Sequence, residues 1–293
     1  MPHDGDSVRP AAGGSQNELE SETRVTALMD EHSPLPDPTG IEDAGANDRR
    51  GTASVVKALQ LLDEFLDGDA SMGVSDIARR AGIPTSTAFR LLAYLVESGF
   101  VSKEGTRYRP GDKLFELGNR VAHSRPRGLR EQVAPYLGDL YAGSGMTTRL
   151  AILDGSDIVI LDKVVGLHTL PAPTPIGGRV PATCTALGKA LLAFQPHAEL
   201  AKVLRGPLPR RSRHSLTNPG ILHRQLMDIR STRLAYDRQE SVLGQVCVAT
   251  PIMRGDVAVG AISLSAPAVR VNLQRSEATL RKTAGHIERL LGG

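Results

Sequence analysis

Thr85, Ser86, Thr87 and Arg90 are the residues of this chain best suited to touch a polyanion: three consecutive hydroxyls and a guanidinium four positions after Ser86. On a helix, Ser86 and Arg90 share a face at i and i+4. The hydroxyls then reach phosphates or base edges, and the fork of Arg90 spans a guanine edge or a phosphate. The first turn of such a helix adds backbone N–H donors for a phosphate. Taken singly, the hydroxyls would serve equally well as caps, and Arg90 as a solvated cation. The remaining reactive side chains are scattered. Cys184 and Cys247 lie in apolar surroundings without CxxC or histidine spacing, which reads as two reduced thiols in a cytoplasmic protein. His168 and His214 fall in loops, and no spacing ties either to a cysteine. No P-loop, GxGxxG, HExxH or GxSxG occurs, so neither catalysis nor a cofactor or metal is expected. An enzyme with a Cys/His site in the second half is the alternative.

The elements around Arg90 decide between these readings. Ser54 is placed to cap a helix with Val55, Leu59, Leu62 and Phe65/Leu66 at helical spacing, stopped by Gly68. A short helix from Ser75 to Ala81 buries Ile77 and Ala78 and is broken by Gly82. The next runs from about Pro84–Ser86 to Ser98 with Ala88, Leu91, Leu92 and Leu95 inward, leaving Ser86 and Arg90 on the other side. Phe100-Val101 opens a strand, Glu104-Gly105 is its turn, and Arg107-Tyr108-Arg109 returns. Three helices and a hairpin make a winged helix-turn-helix, whose second motif helix enters the DNA major groove. Within it the Thr85–Arg90 group reads as DNA contact. Lys103, Arg107 and Arg109 on the wing would hold phosphates, and Arg49 and Arg50 would extend into the minor groove. Residues 51–110 hold seven basic and seven acidic side chains, so binding depends on segregating charge, not on its sum.

The chain has 293 residues and a net charge of +3. Residues 1–48 carry eleven acids and two arginines, −9, which leaves +12 on the remainder. Residues 1–50, rich in Pro, Gly, Ser, Asp and Glu, cannot bury enough surface to offset their ordering entropy and are expected to be a disordered acidic tail. No apolar run is long enough to span a bilayer and no secretory signal pattern is visible. After the winged helix at 52–111, a linker at 112–126 is expected to be helical to about Ser124, with Leu114, Leu117 and Val121 at helical spacing. A helix over Leu129–Tyr141 leads into a second domain, 127–293. There Thr147–Leu153 and Ile158–Val164 form a hairpin. Thr183–Phe194 and His197–Leu204 are helical, and 205–220 is a basic loop. Leu234–Asp237, Gly244–Met253 and Val257–Ser265 are strands, with a last helix over Ser276–Leu291. The class is α+β: a mainly antiparallel sheet with helices on one side.

The order of several blocks is distinctive. Ser54-Val-Val-Lys-Ala-Leu-Gln-Leu-Leu, the 75–99 helix pair and Arg107-Tyr-Arg-Pro-Gly111 resemble the amino-terminal module of IclR-family transcriptional regulators. Further on, Gly177–Ala193 with its Thr-Ala-Leu-Gly-Lys-Ala core, Ala235–Glu240, Cys247–Ile252 and Val259–Ser265 extend the resemblance to about residues 52–291. It implies a GAF-like effector-binding domain and dimers that pair, giving a homodimer or homotetramer. It also implies operator binding switched by a small metabolite, a carboxylate or an aromatic, in a repressor or an activator, of which the repressor is expected. Carried over by position, the pocket would be Ala186 and Leu187, Asp237, Cys247, Ser263 and Ser265. Two departures stand beside that expected pocket: Thr183-Cys184 where many relatives have His-Ala, and Arg233-Leu234 where Gly-Tyr is common. The partners expected are a double-stranded DNA operator and the effector, with no membrane.

Overall fold

The computed structural model describes residues 46–124, 127–166, 174–269 and 273–292, and for 46–52 and 67 the backbone alone. The segment 1–45 and His168 lie outside the described residues. Helix α1 (Ala46–Asp67) begins before Ser54, so Ser54 sits inside the helix and does not cap it. Arg49 and Arg50 likewise belong to helical backbone, not to an extended arm, and their side chains are outside the described set. Helices α2 (Val74–Arg80) and α3 (Thr85–Glu97) follow, joined through Gly82 at φ 65°, a left-handed turn that costs glycine nothing. The core of this module is Leu61, Ile77, Ala78, Ala88, Leu91, Leu92, Val101 and Tyr108, with Leu62, Phe65 and Leu95 packed against it. Val55, Leu59 and Leu66 are exposed instead of inward. Helix α1 carries two apolar stripes at helical spacing, and the buried one runs through Ala58, Leu61, Leu62 and Phe65. The wing is β2 (Val101–Glu104) paired with β3 (Arg107–Pro110). A strand not expected from sequence, β1 (Met72–Gly73), adds to the free edge of β3, with Met72 opposite Tyr108.

Helix α4 (Asp112–Gly118) is shorter than the expected linker helix. Gly118 propagates a helix poorly. The side-chain amide of Asn119 donates to the Phe115 carbonyl at 3.0 Å, and residues 119–124 continue as turns. Phe115, Leu117 and Val121 are exposed.

Beyond α5 (Leu129–Ser144), closed by left-handed Gly145, lies a six-stranded antiparallel sheet. Its strands are β4 (Thr147–Asp154), β5 (Asp157–Val164), β6 (Arg179–Pro181), β7 (Ala235–Arg238), β8 (Gln245–Arg254) and β9 (Val257–Pro267), in the order β6-β5-β4-β9-β8-β7. Helices α6 (Ala186–Leu192), α7 (His197–Arg205), α8 (Pro219–Thr232) and α9 (Gln274–Leu290) complete it. Helices cover both faces, not one. Leu137, Leu140, Leu280 and Ile287 of α5 and α9 pack on Leu150, Val248, Ile262 and Leu264. On the opposite face, Leu187, Leu191, Leu222 and Leu226 of α6 and α8 pack on Ile160, Ala235, Cys247 and Ala249. Alternation along each strand produces this division, because successive side chains point to opposite faces. Strand β6, the 3-10 turn Ala182–Cys184 and helix α8 were not expected from sequence; Asn218, whose side chain accepts from the Ile221 N–H at 3.1 Å, and Pro219 mark the start of α8.

Candidate functional site

Two sites emerge. The first is the outer face of α3. Thr85, Ser86 and Arg90 are exposed and Thr87 is half-buried, while Ala88, Leu91 and Leu92 anchor the helix. Phe89, missed from sequence, is 53% exposed on the same side and lies under Lys103 of the wing, whose Nζ is 5.7 Å from its ring centre and 5.6 Å from that of Tyr108. The stack fixes a lysine beside the helix face. The other wing cations are engaged: Arg107 donates through Nε to Ser71 Oγ at 2.9 Å and through Nη2 to the Ser71 carbonyl, and Arg109 pairs with Glu104 at 2.7 Å. Arg90 and Lys103 form no ion pair among the described residues, which makes them the cations available to a phosphate or base.

The second site lies between α6 and the sheet. Neighbouring strands bring Asp237, Cys247 and Ser265 into one cross-strand row, Asp237 opposite Cys247 and Cys247 opposite Ser265. Two residues along, Arg149 stands opposite Ser263, on the same face. Above them run Ala186 and Leu187 at the start of α6. Arg149, Ala186, Leu187, Asp237, Cys247 and Ser263 line a cavity of about 60 Å³. Five of the six residues expected from the resemblance therefore meet there. The sixth, Ser265, touches it through Arg149, whose Nη1 donates to its Oγ. A roomier groove of about 420 Å³ opens elsewhere on this domain, but its charged pair, Glu199 and Lys202, is mutually satisfied at 2.6 Å. Its other polar side chains are Ser156 and Gln195.

Helix α6 comes this close because of Gly188. A Cβ there would stand 2.1 Å from the Ala182 carbonyl oxygen, an impossible contact. Thr185 caps the helix, accepting from the Gly188 N–H at 2.9 Å. The fully buried Lys189 then reaches Glu240 at 2.7 and 2.8 Å and Gln225 at 3.2 Å, holding the turn after β7 against the helix. That turn is also tied to the 206–215 loop by Ser212, donating to the Gln239 carbonyl, and Ser215, donating to that of Glu240, both at 2.7 Å. Asp237 accepts from the Glu240 N–H at 2.6 Å and from that of Ser241 at 3.4 Å. Burial outweighs these bonds and pushes its carboxyl up to about 7. Burial also pushes the Cys247 thiol up to about 12 and raises that of Cys184, which donates to the Pro209 carbonyl at 3.2 Å. Both thiols are protonated at neutral pH, and neither bonds an imidazole among the described residues, so the Cys/His alternative has no geometry behind it. The two departures expected beside the pocket are not part of its lining. Thr183 and Cys184 are buried in the 3-10 turn. Arg233 caps α8 in the left-handed region at φ 57° and pairs with Glu288 of α9.

A winged helix-turn-helix followed by a domain with a small polar cavity defines a DNA-binding regulator. The chain belongs to the IclR family of transcriptional regulators: the model "IclR helix-turn-helix domain" matches residues 54–105, and "Bacterial transcriptional regulator IclR C-terminal" matches 122–289. It is 32% identical to the transcriptional repressor IclR of Escherichia coli K12 over 76% of this chain and 82% of that one. Among solved structures it resembles the IclR of Thermotoga maritima, with a TM-score of 0.70 and 32% identity over 83% of this chain and 100% of the other. It also resembles an IclR homolog from Microbacterium hydrocarbonoxydans complexed with 4-hydroxybenzoate, with a TM-score of 0.74 and 25% identity over 80% of this chain and 98% of the other. The family consists of regulators, not enzymes.

Proposed function

We propose that this regulator is a repressor whose operator binding is switched by a small carboxylate or aromatic effector held between α6 and the sheet. The observation that carries this is the convergence of Asp237, Cys247, Ser263 and a buried arginine on one cavity under α6. The repressor named above and the 4-hydroxybenzoate bound by the Microbacterium homolog support the reading. Helix α3 enters the major groove, Arg90 reading bases and Thr85, Ser86 and Thr87 contacting base edges or phosphates. Lys103 supplies the free phosphate contact of the wing, while Arg107 and Arg109 contribute less because Ser71 and Glu104 engage them. Exposed Val55, Leu59, Leu66, Phe115 and Leu117 support association of like chains, since so many large apolar groups are seldom left in water.

The test is DNase protection of an operator with and without an effector found by thermal-shift screening of carboxylates and aromatics. A discrete protected region that changes with effector is expected. Protection absent at every salt concentration would sink the reading. Asp237→Ala should blunt the effector's influence and leave effector-free operator affinity near wild type.

Lys103→Ala should weaken binding to all DNA about equally and lower the slope of log affinity against log salt by about one, because one fewer phosphate counterion is released. Altered sequence preference with an unchanged slope would contradict that placement.

A carboxylate effector should also bind with a pH dependence. Asp237 is flanked by Cys247, Arg149, Lys189, Glu240 and the Glu240 and Ser241 amides, and its carboxyl titrates at about 7. Below that pH it is neutral and tolerates a second carboxylate. Above it the two repel, so affinity falls as pH rises through 7. Calorimetry from pH 6 to 8 checks this, and Asp237→Asn should flatten the profile.

A further inference from the structure

Arg149 was not expected at the site from sequence, and it is the most unusual charge in the domain. It is 8% exposed, on a central strand of the sheet, and burial lowers its affinity for its proton. Among the described residues its side chain donates to a neutral hydroxyl, Ser265 Oγ, and no carboxylate lies within ion-pair distance of it. The other deeply buried cation, Lys189, is by contrast closed off by Glu240 and Gln225. A buried cation is tolerated when an anion faces it, and the nearest candidate within the protein, Asp237, is itself held towards its neutral form. Across the strand, Ser263 Oγ is a fully buried polar atom with no partner stronger than the weakly polar Cys247 thiol. A guanidinium lacking its anion and a hydroxyl lacking a strong partner both line the same small space.

We propose that Arg149 selects the ligand's charge: it takes the carboxylate end of a short monocarboxylate, with Ser263 hydrogen-bonded to the same molecule. The planar fork of arginine presents parallel N–H donors that match two carboxylate oxygens, a geometry no neutral group reproduces. One unpaired cation calls for one negative charge, which disfavours dicarboxylates. A cavity of about 60 Å³ is well under the roughly 150 Å³ of one that holds benzene, which favours a short aliphatic ligand over an aromatic one. The inference rests on the cavity being the effector site and narrows what that site accepts.

The experiment is thermal denaturation of the full chain at fixed pH and ionic strength, with sodium propanoate, succinate, benzoate and the neutral propanamide as probes. Wild-type protein should melt higher as propanoate rises, by an amount that grows with the logarithm of its concentration, and should ignore propanamide. Arg149→Met should melt at or above the wild-type temperature without ligand, because an unpaired buried charge has been removed, and should lose propanoate affinity by more than about tenfold. Arg149→Lys should retain part of the response. A variant Arg149→Met that melts well below wild type without ligand would show a structural role and overturn the proposal. So would equal stabilisation of both proteins by propanoate, a response to propanamide matching that to propanoate, or no response in the wild type. An effector that shifts operator binding yet stabilises wild type and Arg149→Met alike would leave the effector site standing and remove Arg149 from it.

Discussion

Lys189→Met is expected to destabilise the protein by about 3–5 kcal/mol, the cost typical of stranding one partner of a buried ion pair. Both side chains are almost wholly buried, 1% exposed for Lys189 and 6% for Glu240, so water cannot replace the lost contact. Their mutual attraction does not add stability of that size by itself, because desolvating two charges offsets most of it. The loss comes from the carboxylate left behind. The double variant Lys189→Met with Glu240→Leu should therefore recover most of the deficit. Urea denaturation of wild type, each single variant and the double variant closes the cycle. A single-variant loss below about 1 kcal/mol would mean that solvent reaches this pair.

Arg90→Ala should weaken specific operator binding by about 1–3 kcal/mol, roughly ten- to a hundred-fold, the usual discrimination carried by a bidentate base contact. Folding should be unaffected, since Arg90 is exposed and forms no ion pair among the described residues. Titration of an operator and of an unrelated duplex at matched salt separates the outcomes. Affinity falling equally for both would make Arg90 a phosphate contact. Unchanged operator affinity would remove it from the interface.

The recognition helix was legible because it is amphipathic with clear stops: Gly82 before it, Gly99 after it, and Ala88, Leu91, Leu92 and Leu95 along one face. The sheet strands of the second domain were legible from their period of two. Helix α1 was harder, since Val55, Leu59 and Leu66 repeat at the same spacing as Ala58, Leu61, Leu62 and Phe65, and only tertiary packing chooses between the stripes. The linker helix forms but ends early for a local reason, Gly118 followed by an asparagine that bonds back to the chain. At the cavity, Asp237, Cys247 and Ser263 were found by resemblance, and Arg149 was not. An arginine within a strand reads as solvent-facing until the register sets it across from Ser263 on the covered face. Phe89 escaped for the mirror reason: an aromatic residue on a helix reads as core.

The pairing of β4 with β9 joins Arg149 to Ser265 across 116 residues of sequence. The winged helix, by comparison, gathers its core from residues between Ala58 and Tyr108. Closing the longer loop costs more entropy and delays the contacts that reward it. On a growing chain, emerging from its amino-terminal end, every residue of the winged-helix core is available long before the last wall of the cavity has been synthesised. A chain released early, or clipped before β9, would thus keep the winged helix while lacking Ser263 and Ser265, the β9 residues of the proposed effector site. On the proposed reading, the order of winged helix and cavity along the polypeptide makes loss of control, not loss of binding, the first fault expected of an incomplete molecule.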